Sequence, residues 1–366
     1  MNTDNREPLS LADRRLVICL GPGGVGKTTT SAALALMAAG ENRNVDVMTV
    51  DPAPRLLDAL GLDAENPDRQ EVALDGLLRT RGRLRACKLD PKRTFDEVVA
   101  RYAPSSSACE AILRNRLYRN LSAAMSGVAD YMAIEKLLEL ESDQSTNLIV
   151  LDTPPAREAL DFLDAPRRML ELLNSRAATL LGASHGFMGQ SLTMLDFAAR
   201  AVLAAFDRLT GLRLLGDVRS FVQSFDGMYQ GFAERAARAQ ALMRDSRTLI
   251  VVVTTAEERR AEEAREFCDS LFRSGLPVGA LIVNRTLPKL PKSSELNRLA
   301  LSSELVQKLK RNLRDFAALR ARQDLSVESI RGALAPEVAI VAAPDLGHEP
   351  RELADLLEIA RNLKVA

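Results

Sequence analysis

The sequence has no excess of charge of either sign: Lys and Arg total 49, Asp and Glu total 49, and the formal net charge is zero. That balance removes the electrostatic motive for nucleic acid or an anionic membrane as the main partner. Cysteine is scarce. Cys19, Cys87, Cys109 and Cys268 stand apart, with no C-x-x-C pair and no histidine at zinc spacing. This excludes a recognisable zinc motif and predicts four buried, reduced thiols. The two histidines, His185 and His348, are each single, so neither points to a metal or general-base centre. No apolar run reaches the roughly 18 residues needed to span a bilayer. Residues 1–14 are polar and contain Asp and Glu, unlike a signal peptide, and read as a flexible tail. The expectation is a soluble, cytoplasmic protein with no integral membrane segment. Tryptophan is absent and aromatics make up 4% of the 366 residues, yet a hydrophobic fraction of 46% is ample for a full core.

Short, almost continuously apolar runs at 16–20, 45–50, 148–151, 249–253, 278–283 and 338–341 read as buried parallel strands, with a weaker one at 84–89. Helical periodicity at 28–39, 256–273 and 351–363 falls between them. Strands alternating with helices predict an α/β fold built on a doubly wound, mostly parallel sheet. Two connections are too long for simple crossovers and carry helical rather than strand patterns. They make residues 15–366 a single domain with an α-helical subdomain inserted at about 92–146 and 156–247. The stretch 286–294 reads as an exposed loop.

The first strand runs into Gly21-Pro22-Gly23-Gly24-Val25-Gly26-Lys27-Thr28, then into an Ala-rich helix. This is G-x-x-x-x-G-K-T between strand and helix, the setting a phosphate-binding loop requires. Its glycines let backbone N–H groups turn inward, and the helix N-terminus adds its dipole. Lys27 is then placed to reach the β- and γ-phosphates, and the Thr28 hydroxyl to ligate magnesium. Carboxylates are expected where strands end, because ligands of open α/β sheets sit at that edge. Asp51 and Asp152 follow the strands at 45–50 and 148–151. Asp152 is assigned to the outer shell of the metal and Asp51 to orienting the attacking water. Each also suits a turn before proline. The late strand ends Asn284-Arg285-Thr286-Leu287, without the Asp of an N-K-x-D guanine motif, which favours ATP over GTP.

These residues resemble the ArsA and tail-anchored-protein-targeting ATPases, a branch of the deviant Walker A, MinD/ParA-like class. Residues 21–29, GPGGVGKTT, are similar to the family's G-K-G-G-V-G-K-T-T, which brings in Thr29 as well. Asp51-Pro52-Ala53-Pro54 looks like its first switch, Asp152-Thr153-Pro154-Pro155 its second, and Leu89-Asp90-Pro91 its I-D-P step. The resemblance implies that Asn284 contacts adenine and that a proline segment, here 344–349 with Pro344 at its head, lines the base. It further implies a magnesium-dependent homodimer gated by ATP, and a helical subdomain that serves a hydrophobic protein client or a metalloid pump. Three features depart from the family. The lysine that reaches the partner's phosphates is replaced by Pro22, so either hydrolysis is slow or a cation such as Arg55 or Arg157 substitutes. The zinc-binding C-x-x-C of the targeting branch is missing. The arsenite-binding cysteine triad of the pump branch is not recognisable, and Cys109 is alone in its insertion.

Within the second insertion Leu192, Leu195, Val202, Phe206 and Leu209 recur at helical spacing, with Met188, Met228 and Met243 nearby. This pattern fits a subdomain core or an apolar client groove. Arg79, Arg81, Arg83 and Arg85 read as a solvated loop and edge. Lys308, Lys310, Arg311 and Arg314 read as the wet face of a helix, and the acidic C-terminal helix is unlike a membrane-surface anchor.

Overall fold

A computed structural model describes residues 9–115, 118, 126–174, 228–276, 278–298 and 301–364. The chain divides into two compact units, one comprising Met1–Lys88, Asp143–Ala159 and Arg244–Ala366, the other Leu89–Ser142 and Leu160–Met243.

The first unit is a sheet of eight strands: β1 (Leu16–Leu20), β2 (Val45–Thr49), β3 (Gln70–Glu71), β4 (Leu84–Lys88), β5 (Leu148–Asp152), β6 (Thr248–Thr255), β7 (Val278–Thr286) and β8 (Ala339–Pro344). Their order is β3-β4-β2-β5-β1-β6-β7-β8, and every pairing is parallel except β3 with β4. β1, β2, β5 and β6 are buried at every position, as expected of strands covered on both faces. The expected α/β, mostly parallel sheet is therefore what this chain forms. β3 carries no apolar signal, and its two polar residues add an antiparallel edge that periodicity could not reveal.

Two helices set the site. α1 (Lys27–Gly40) is buried along nearly its whole length because its small alanines let it lie close to the sheet, packed also against the C-terminal helix Leu353–Lys364. α2 (Arg55–Ala59) follows β2 and buries Leu56 and Leu57.

In the second unit the described elements are helices: α3 (Pro91–Tyr102), α4 (Ser106–Arg114), α5 (Ser126–Ser142), the greater part of α6 (Ala156–Asn174) and nearly all of α7 (Tyr229–Arg244). α3 begins where Asp90 accepts a hydrogen bond from the Arg93 N–H, with Pro91 at the first helical position. The core of this unit joins Phe95, Val99, Tyr118, Tyr131, Met132, Met228 and Phe232. Met228 and Met243 are buried, so they are core side chains rather than the lining of a groove. Residues 188–209 and His185 lie outside the described residues, so the apolar stripe read there stays a sequence observation.

Returning to the first unit, α8 (Glu258–Arg273) joins β6 to β7, a short α9 (Ser293–Leu296) follows the exposed loop, and α10 (Ser303–Ala333) leads to β8; the C-terminal helix becomes α11. Lys308, Arg311 and Arg314 are exposed as expected and Lys310 is half-buried, but the other side of α10 is only partly covered, with Phe316 and Leu319 also exposed. Among the described residues no helix is long and apolar enough to cross a membrane. All four cysteines are free. Cys19, Cys87 and Cys268 are buried as expected, whereas Cys109 on the polar helix α4 is only half-buried.

At the sheet edge remote from the strand carboxyl ends, Asp46 is 1% exposed and holds two arginines. Arg69 donates to both carboxylate oxygens, at 2.9 and 2.6 Å, and Arg85 Nε lies 3.0 Å from Oδ1. The Thr146 hydroxyl donates at 2.5 Å, and Arg69 continues to Asp143 at 2.7 Å. Arg85 is therefore not the solvated residue that the basic run suggested: its position on β4 aims it inward at a carboxylate on β2. Removing one partner of a buried pair leaves the others desolvated and unmatched. Asp46→Asn is expected to lower stability by about 3 kcal/mol in urea titration.

Candidate active site

The loop between β1 and α1 depends on two close approaches. Gly26 has φ 92°, a left-handed conformation, and a Cβ there would meet Asn284 Nδ2 at 2.2 Å. Gly21 has φ 150°, and its Cβ would fall 2.2 Å from the Val253 carbonyl oxygen on β6. Only glycine fits either place. α1 starts at Lys27 with no side chain capping it, so its first-turn N–H groups are turned toward the loop. Lys27 is buried and its Nζ donates to the Pro22 carbonyl at 3.0 Å, which holds the ammonium within the loop. Burial pushes the Lys27 pKa below its ordinary value; Asp152 and then Asp51 oppose that shift, and Arg55 adds to it.

Asp152 ends β5 fully buried and gathers three hydroxyls from two elements, α1 and β2. Its Oδ2 accepts from Thr28 on α1 at 2.9 Å and from Thr49 on β2 at 3.0 Å, and its Oδ1 accepts from Ser31 at 3.4 Å. Sequence reasoning misses Thr49 and Ser31; their only signals are a hydroxyl residue closing an apolar strand and one closing the Thr28–Ser31 run at the first turn of an Ala-rich helix. Asp51, half-buried, accepts at Oδ1 from the Ala53 N–H at 2.9 Å, while its own N–H donates to Thr49 at 3.2 Å. Asp51 thus makes the turn that its place before proline suggested, and the same turn fixes its carboxylate beside the loop. The donor set here is hard oxygen, a hydroxyl backed by a carboxylate, which suits a magnesium ion completed by phosphate oxygens.

On the other side of β1, Asn284 Nδ2 donates to the Val25 carbonyl at 2.9 Å. The register of β7 against β8 shifts after Val283, and Arg285 takes φ 56°. That irregularity re-aims the strand end at which Asn284 meets the loop. Gly21, Gly23, Gly24, Val25, Gly26, Lys27, Thr28 and Thr29 thus form one structure with Asp51, Asp152 and Asn284. Pro344 ends β8, the edge strand, paired with Thr286 rather than with the loop. His348 is exposed and lies 3.9 Å from Asp355. Among the described residues no cluster of His, Cys, Asp or Glu forms a metal cage by itself.

Burial pushes the Asp152 carboxyl up to about 6, although Thr28, Thr49 and Lys27 favour its ionised form. A carboxyl raised on folding contributes stability that is complete below about pH 4 and is lost as the pH rises toward 6. Asp152→Asn is therefore expected to melt above wild type at pH 8 when no nucleotide is added, with the gap closing below about pH 5. Differential scanning calorimetry over a pH series measures the difference.

Residues 14–334 match the family described as Anion-transporting ATPase, ArsA_ATPase. Among similar proteins, "ATPase GET3" of Malassezia globosa is 26% identical over 279 residues, covering 76% of this chain and 74% of that protein. "ATPase get3" of Aspergillus terreus is 25% identical over 325 residues, 87% of each. "Uncharacterized protein SCO2128" of Streptomyces coelicolor is 27% identical over 352 residues, 94% of this chain and 75% of that one. With the loop, the buried carboxylate and a family match along most of its length, the chain belongs to the ArsA family of ATPases.

Proposed function

We propose that the protein is a hydrolase that binds ATP with magnesium and cleaves its terminal anhydride as a nucleotide-gated homodimer. Residues 15–366 act as one P-loop domain, and the inserted helices handle a hydrophobic protein segment rather than nucleic acid. The observation that carries the ATPase reading is the knot of Thr28, Thr49 and Asp152 beside the glycine loop.

The chain's own groups divide the work. Loop amides and the α1 N-terminus cradle the phosphates. Lys27 leaves the Pro22 carbonyl for the β- and γ-phosphate oxygens, close to where its ammonium already rests. Thr28 supplies the hydroxyl ligand for the metal, and Asp152 orients that hydroxyl from behind. Magnesium, when bound, neutralises charge on the bridging and terminal phosphate oxygens. Asp51 holds water in line with the γ-phosphorus, its carboxylate steadied by the Ala53 N–H. Most of the rate comes from placing these charges before reaction begins.

The dimer and the client rest on the family resemblance alone; the relatives named ATPase GET3 support the ATPase reading. Pro22 supports a second reading, a low-turnover ATP-dependent switch, because no lysine is available at that position to reach another subunit. Arg55 opens α2, is exposed, and lies close enough to Lys27 to influence its proton affinity. If Arg55 replaces the missing lysine, Arg55→Ala lowers kcat by about 100-fold or more with little change in ATP affinity. Turnover unaffected by Arg55→Ala and by Arg157→Ala alike favours the switch. Asp51→Asn incubated with magnesium and ATP should accumulate as an ATP-bound dimer carrying apolar polypeptide, measured by light scattering and mass spectrometry. A monomer, or a dimer that retains no polypeptide in a wild-type background of negligible turnover, contradicts the client-handling reading.

A further inference from the structure

Thr255 closes β6, the strand between β1 and β7. It is 9% exposed, and its Oγ1 has no hydrogen-bond partner among the described residues. A buried hydroxyl left unpaired bears its full desolvation penalty, so such a group in a folded site calls for an explanation. The neighbouring Thr254 is satisfied, donating to the Arg260 carbonyl at 2.9 Å. The difference follows from strand geometry, since successive side chains point to opposite faces.

Leu249, Val251 and Val253 of β6 belong to the core that includes α1, as do Ala280 and Ile282 of β7. Thr255 continues the first row and Asn284 the second, and the two are register partners. They stand side by side where the α1 face of the sheet reaches its carboxyl edge. Asn284 there touches the loop through the Val25 carbonyl. Strand order then fixes which part of a nucleotide passes them. Asp152 ends β5 and Asp51 follows β2, both on one side of β1, so the metal and the γ-phosphate lie to that side. A nucleotide with its phosphates in the loop must carry its nucleoside to the other side, across the ends of β6 and β7.

We infer that the Thr255 hydroxyl, set beside Asn284 at the ends of β6 and β7, hydrogen-bonds the purine base of the nucleotide held by the loop. Thr255 is thus a specificity-determining residue of the site. The assignment rests on the reading that the loop holds ATP. It accounts for the unpaired hydroxyl, because the ligand supplies the missing partner.

Thr255→Val keeps the shape of the side chain and removes only the hydroxyl. Calorimetric titration with magnesium and ATP is expected to show Kd raised about three- to tenfold in this variant. The loss should be equal with 2′-deoxy-ATP, and binding of inorganic tripolyphosphate should be unchanged. Thr255→Ser should restore wild-type affinity, and Thr255→Val without nucleotide should melt at or above wild type, because an unpaired polar group has been removed. Equal ATP affinity in Thr255→Val and wild type overturns the assignment. A loss that extends to tripolyphosphate also overturns it, since the hydroxyl then acts through the loop. A loss that disappears with 2′-deoxy-ATP moves the contact to the sugar and overturns the base assignment. Wild type that binds tripolyphosphate but not ATP instead sinks the underlying ATP reading, and is distinguished by the wild-type titration alone.

Discussion

The site turns on one buried carboxylate. Asp152 sits at the end of β5 with hydroxyls from α1 and β2 on one oxygen and a second α1 hydroxyl on the other. These bonds fix three separately encoded elements to one point: the strand that ends in Asp152, the strand that leads to Asp51, and the helix that begins at the loop. A carboxylate so placed is costly to ionise, which is why burial outweighs three favourable influences and raises its pKa. Structural proteins avoid such groups. On the proposed reading, a dication bound through Thr28 would be the partner that makes the charge favourable.

Glycine does the complementary work. Val253 and Asn284 approach the loop so closely that side chains at Gly21 and Gly26 cannot be accommodated. The loop is therefore wedged between β6 and β7 on one side and the Asp152 knot on the other. Rigidity of this kind keeps amides aimed at phosphate before phosphate arrives, and this preorganisation is the main source of rate in phosphoryl transfer. The ion-pair cluster around Asp46 belongs to the opposite edge, where it ties β2, β3, β4 and the turn before β5 together.

Much of this was legible in the sequence because strong local patterns carried it. Continuous apolar runs gave seven strands to within a few residues, and the glycine loop gave its own conformation, since few residue types permit it. What was not legible depended on pairing across distance. Arg85 read as one of four exposed arginines, and only the register of β4 against β2 reveals that it faces Asp46. β3 is two polar residues whose strand character exists only through its neighbour. Thr49, Ser31 and Thr255 are small hydroxyl residues that are ordinary in any strand or helix. Their roles emerge from the sheet order, which brings strand ends far apart in sequence to a single edge. For Met228 and Met243 the sequence pattern left core and groove both open, and their burial decides for the core.

Pro22 separates a conventional phosphate grip from the family's reach between subunits. Its carbonyl receives the Lys27 ammonium, so the position has a use within one chain even though its side chain has no charge to offer. The central claim is that this grip binds and cleaves ATP, and phosphate release by wild type and Lys27→Ala, followed beside magnesium–ATP titration, tests it most directly. The account predicts magnesium-dependent conversion of ATP to ADP and phosphate with one nucleotide bound per chain, turnover lost and affinity weakened in Lys27→Ala. Binding and turnover that are the same in both proteins, or absent from wild type, would contradict it.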